Sequence, residues 1–163
     1  MSLLLTSIVA GATAITGAAI VYRMINPVEY PTIPSSIEET KSDAFDAAHE
    51  HAEPIDADVI RVPDGGMEPR LPQGVFAVVA KVPVSELNKY DVVAYLGEPR
   101  DGIVMARYLY KHRDTLVVRR DADPVFKHRG TESLDRNKTL VSTGVYRGKV
   151  VAYYDWVEAR KAG

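Results

Sequence analysis

The chain has 163 residues, of which 46% are hydrophobic and 26% charged, and a formal net charge of -2. That is enough apolar material for one compact domain with appendages, and the charge balance does not call for a nucleic-acid partner. It contains no cysteine, which excludes disulfides, thiolate metal sites and cysteine nucleophiles.

Residues 1–22, MSLLLTSIVAGATAITGAAIVY, carry no charge, and Arg23 ends the run. At about 1.5 Å per residue, roughly 20 helical residues span the ~30 Å hydrocarbon core of a bilayer. A hydrophobic helix over residues 1–25 is therefore expected, in a membrane or in a protein bundle. Ala10, Ala14 and Ala18 lie on one side of it, a small-residue face that another helix can approach closely. A cleaved signal peptide is the rival reading, but no positive charge precedes the apolar run.

Residues 26–58 read as a Pro-rich and acidic linker, with nine acidic residues against Lys41 alone. Prolines 27, 31 and 34 favour an extended spacer. Ser36 and Glu39 have capping-box spacing, which predicts a short acidic helix ending before Pro54. His49 and His51 would point to different faces of that helix, so no metal site is expected there. The acidic charge either stays solvated or lies on a basic surface, since residues 59–163 carry 18 basic and 13 acidic side chains.

From residue 59 the pattern changes to short β-rich runs bounded by Gly, Pro, Asp and Asn: VIRVP, GVFAVVAKV, DVVAYLG, GIVMARYLYKH, TLVVRR, TLVSTGVY and GKVVAYYDWV. Each reads as a strand, and ELNKYD reads as a connecting turn, so residues 59–163 are expected to form a mainly β domain. At least one aromatic of YYDWV (Tyr153, Tyr154, Trp156) is expected in the core. Arg119, Arg120, Lys127, His128 and Arg129 form a basic group that either guards a strand edge or meets an acidic partner.

The loop VPDGGMEPRLPQG, Val62 to Gly74, carries the most specific pattern. With Met67, Pro69, Leu71 and Gly74 in register, it resembles the Gly-x-Ser-Met-x-Pro-x-Leu loop of the serine–lysine peptidases, the family of bacterial signal peptidases and LexA-type repressors. Four further pieces follow in the family's order: KYDVVAYL with Asp91, GIVMARYLYK with Arg107, RDADPVF from Asp121 to Pro124, and RGKVVAYY. The resemblance covers about residues 59–154. It implies a signal-peptidase/LexA-type β-domain and a peptide cleft drawing on Gly65, Gly66, Met67, Pro69, Asp91 and Arg107.

The implied chemistry is a serine hydroxyl attacking a carbonyl, with a buried neutral lysine as base. Gly66 stands at the serine position and Ala106 at the lysine position. Neither can perform its step, and no cofactor or metal is implied. Lys111, five residues beyond Ala106, is expected on the opposite face of a regular strand. Asp64 and Glu68 flank the loop without a specified partner. The linker has no Ala-Gly bond of the kind LexA-type members cut in themselves. The expected protein is a pseudo-peptidase used as a structural or assembly part, such as a bacteriophage virion component, with protein partners in several copies. A membrane-anchored peptide-binding adaptor and a peptidase with an unrecognised nucleophile are the alternatives.

Overall fold

The computed structural model describes residues 30–97, 102–122 and 138–157. The hydrophobic segment 1–25, the start of the linker and the basic residues 127–129 lie outside the described residues, as do Asp123 and Pro124. No helix among the described residues is long and apolar enough to cross a membrane.

Among the described residues, eight strands form one sheet: β1 Ser35–Glu38, β2 Asp58–Arg61, β3 Phe76–Ala80, β4 Val92–Leu96, β5 Ile103–His112, β6 Thr115–Arg119, β7 Thr139–Ser142 and β8 Tyr146–Trp156. The strand order is β2-β3-β8-β4-β5-β6-β7, with every pair along it antiparallel. The domain is mainly β, as the alternation of apolar runs and turns predicts. β8 organises it. Its 11 residues pair with β3 on one side; on the other they pair first with β4 and then, in parallel, with β1.

Alternation along the strands sorts the side chains into three buried clusters. Ala77, Val79, Val92, Ala94, Met105 and Val150 pack on one face beneath Val62, Met67, Leu71 and Val75. Val93, Tyr95, Val104, Ala106, Tyr108, Leu116, Val118 and Val141 form the second cluster on the opposite face of β4 and β5. The third unites Phe76, Val78, Ala152 and Trp156 with the single α-helix among the described residues, α1, Lys41–Ala52. That helix buries Ala44, Ala48 and Ala52, a small stripe at i, i+4, i+8 that lets the helix lie close on β3 and β8. Trp156 is the buried aromatic of YYDWV, while Tyr153 and Tyr154 are half-buried.

Three local features differ from the expected pattern or add to it. The capping box is Thr40 with Asp43, not Ser36 with Glu39: Thr40 Oγ1 accepts the Asp43 N–H, and Asp43 Oδ2 accepts the Thr40 N–H at 3.1 Å. Ser36 and Ile37 are already committed to pairing with β8. Secondly, residues 31–58 supply β1, α1 and the start of β2 to the same compact unit as the rest of the sheet. Thirdly, TLVSTGVY is broken by a single 3-10 turn at Thr143–Val145, so β7 stops at Ser142 and β8 starts at Tyr146.

His49 and His51 serve the helix packing. The His49 ring lies 4.3 Å from that of Phe45, and His51 Nδ1 is 2.8 Å from the Tyr154 hydroxyl. Among the described residues no cluster of three or more candidate metal ligands occurs.

Candidate functional site

The loop that follows β2 is closed at its base by two backbone hydrogen bonds: Val62 N–H to Val75 O at 2.8 Å, and Gly74 N–H to Val62 O at 2.9 Å. Gly74 has φ +89°, a conformation that side chains with a Cβ avoid. Met67 and Leu71 are buried, and the Leu71 N–H donates to Met67 O. These two apolar residues nail the loop to the core, while Glu68, Pro69 and Arg70 remain exposed at its tip. The Glu68–Pro69 peptide is cis.

Asp64 begins a single 3-10 turn, Gly65–Met67, and caps it by accepting the Gly66 N–H at 2.8 Å. The same oxygen, Oδ1, accepts from Arg120 Nη2 at 2.7 Å. Arg120 lies just beyond β6, and its guanidinium covers Gly66 so closely that a Cβ at position 66 would run into Nη2, Nε and Cζ together. Two residues on, the Ala122 N–H donates to the Gly66 carbonyl at 2.9 Å. The tripeptide Arg120-Asp121-Ala122 therefore fastens the far side of the sheet to the Gly66 turn.

Asp121 faces the other way, into the interior. Its carboxylate receives Arg107 Nε at 2.7 Å and Arg107 Nη2 at 2.6 Å, while Arg107 Nη1 donates to Tyr90 O at 3.0 Å. The Arg107 side chain is fully buried and Asp121 is 8% exposed. A two-pronged, desolvated pair of this kind is held far more firmly than a surface ion pair.

Asp91 is also buried. It accepts the Asn88 N–H at 2.8 Å and pairs with Lys149 Nζ at 2.9 Å. Tyr90, at φ +76°, turns the chain into β4. Asp91, Arg107 and Lys149 line a cavity of about 230 Å³ with Pro31–Pro34 and Val150, where β8 is uncovered between β4 and β1.

The six residues expected around one cleft thus divide. Gly65, Gly66, Met67 and Pro69 share the loop, with Gly66 facing Arg120. Asp91 and Arg107 border the separate small cavity and are engaged by internal partners. Ala106 is fully buried; it pairs with Val93 in β4, and β5 runs against the Gly65–Met67 turn. Lys111 does not face away from Ala106. A bulge between Tyr108 and Tyr110 inserts one residue, so Lys111 pairs with Leu116 and shares the face of Val104, Ala106 and Tyr108. It is exposed and about 16 Å along the strand from Ala106, out of reach as a substitute base.

A groove of about 670 Å³ runs over this face. Asp64 and Arg120 lie at its wall, Tyr95, Val104 and Val141 contribute apolar lining, and Thr139, Leu140 and Ser142 border it from β7. β7 ends the strand order, and Leu140 is 72% exposed. Sequence reasoning missed Arg120 as a partner of Gly66. Its only signal was composition: a glycine, with no side chain of its own, leaves room for a distant one.

No protein-family model, curated protein or solved structure matches the chain.

Proposed function

We propose that this chain is a non-catalytic structural or assembly protein built on a serine–lysine-peptidase-like β-domain that has lost its chemistry. The observation that carries the reading is the pairing of Gly66 with Arg120. Where the resemblance requires a free hydroxyl, there is a backbone covered by an ion-paired guanidinium. Where it requires a neutral amine, there is the buried methyl of Ala106. A guanidinium stays protonated at any physiological pH, so it neither attacks a carbonyl nor accepts a proton. The expected partners are proteins at fixed ratio, in an assembly such as a bacteriophage particle, with residues 1–22 available for a membrane or a helix bundle.

A second reading has its own support. The groove beside the terminal strand β7, with Leu140 exposed on it, has the form used to add an extended peptide to a sheet edge. On that reading the chain is a membrane-anchored adaptor that holds peptide segments without cutting them. Purification of the full chain from its source, with quantitative mass spectrometry of what accompanies it, separates the two. A few partners at constant ratio support the assembly subunit; many membrane or secreted proteins at low ratio support the adaptor. Peptide hydrolysis by the purified chain would point instead to a peptidase, and its persistence in the Asp64→Ala and Glu68→Ala variants would count against those two carboxylates as its unrecognised catalytic groups.

A further inference from the structure

The two arginines near the Gly66 turn are held in very different ways. Arg107 has both of its prongs on Asp121 and is wholly buried. Arg120 is ion-paired to Asp64 between side chains that are 33% and 43% exposed. Its Nε is buried yet has no hydrogen-bond partner among the described residues. A half-exposed ion pair contributes little, and a buried N–H without a partner gives up hydration for nothing in return. The guanidinium nevertheless sits in the volume that any side chain at position 66 would fill, at the wall of the groove.

We infer that Arg120 is a built-in plug, seated on Gly66 and held by Asp64, which closes this end of the groove and can swing out without the domain unfolding. Three observations combine. Gly66 is the residue that makes room for the guanidinium. Asp64 is the catch, and it stays tied to the Gly66 N–H when the arginine leaves. The Arg107–Asp121 pair and the Ala122–Gly66 backbone bond keep the surrounding chain in place, so a side-chain rotation of Arg120 is enough to uncover the turn. The device concerns the turn itself and holds whether the domain serves an assembly or captures peptides.

The test uses the full chain. Gly66→Ala is measured in the native background and in the Arg120→Ala background by urea unfolding. Overpacking against a seated guanidinium raises the unfolding equilibrium constant by about 10-fold or more, and removing Arg120 brings the effect of the same substitution to within about 2-fold. An equal cost in both backgrounds would overturn the seating. The swing is read by NMR from the side-chain Nε–H groups of the two arginines. That of Arg120 exchanges with water about 100-fold faster than that of Arg107 under native conditions, and Asp64→Asn speeds it further while leaving Arg107 unchanged. Equal protection of the two groups, or exchange of Arg120 only at the rate of global unfolding, would show a fixed structural arginine and no plug. The exchange experiment on Asp64→Asn stands even where Gly66→Ala does not fold.

Discussion

Substituting Asp121→Asn removes one negative charge from a desolvated ion pair. The Arg107 guanidinium is left fully buried, with Nη1 still donating to Tyr90 O and an amide in place of the carboxylate that received two of its nitrogens. Breaking one side of such a pair costs about 3–5 kcal/mol, because the surviving charge is neither solvated nor neutralised. A domain of this size has a total stability of only about 5–15 kcal/mol, so the loss is a large part of it. At roughly 3 °C per kcal/mol, the melting midpoint falls by about 10–15 °C. Urea titration followed by the fluorescence of Trp156, the one tryptophan in the chain, reports the change directly. With a slope of about 1.5 kcal/mol per molar urea, the midpoint moves down by about 2–3 M. The combined replacement Arg107→Met, Asp121→Leu is expected to recover most of the loss, since apolar residues of similar volume satisfy a buried site at no charge cost. Lys81→Ala is the control: Lys81 is 54% exposed and its partner Asp56 is 90% exposed, so the midpoint stays where it is. A shift for Asp121→Asn as small as that of Lys81→Ala would refute the reasoning, and so would a double replacement no better than the single one.

Gly148→Ala is expected to destabilise by about 1–3 kcal/mol, because the new methyl would collide with the Ala80 carbonyl oxygen and approach Val79 Cγ1 where β8 crosses between β3 and β4; the urea midpoint checks it. Tyr146 predicts a decline in stability at high pH. Burial, helped by the Asp91 carboxylate, pushes its hydroxyl up from 10.0 to about 12. Between these values the unfolded chain has released the phenolic proton and the folded chain has kept it. The stabilisation is therefore complete below pH 10 and is lost as pH rises toward 12. Tyr146→Phe removes the hydroxyl that donates to Val82 O and should flatten that part of the stability–pH curve; a curve of unchanged slope would remove Tyr146 as its cause.

The strands of the sheet differ in how far they are written in the sequence. FAVVA and VVAYL are rich in Val and bounded by Gly, Pro or Asp, so composition alone marks them, and all seven expected runs contain or overlap a strand. β1 is different. SSIE has little strand preference of its own and becomes a strand because the C-terminal half of β8 offers an open edge to pair with. The displaced helix cap follows from the same event: once Ser36 is in the sheet, Thr40 is the next side chain able to cap α1. The face of Lys111 was illegible for a related reason, since a one-residue bulge reverses the alternation without leaving a composition signal.

The candidate site divides along similar lines. The loop around Gly66 is legible because Met67 and Leu71 have to be buried for it to close, and that neither Gly66 nor Ala106 carries a nucleophilic or basic side chain is plain from the letters. What could not be read is the distant contact. Asp64 and Arg120 are 56 residues apart and meet only because the sheet curls until the end of β6 reaches the loop after β2. The resemblance alone groups Asp91 and Arg107 with the loop. Both instead complete internal ion pairs, with Lys149 and Asp121, at another cavity.

On the function proposed above, this domain acts by being held in place rather than by cutting peptides. Native purification of the full chain, with absolute quantification of every co-purifying protein, tests it most directly. The account predicts a short set of partners at constant whole-number ratio to this chain, in several copies. A chain recovered without stoichiometric partners, accompanied by peptide fragments newly cut at a defined sequence, would contradict it.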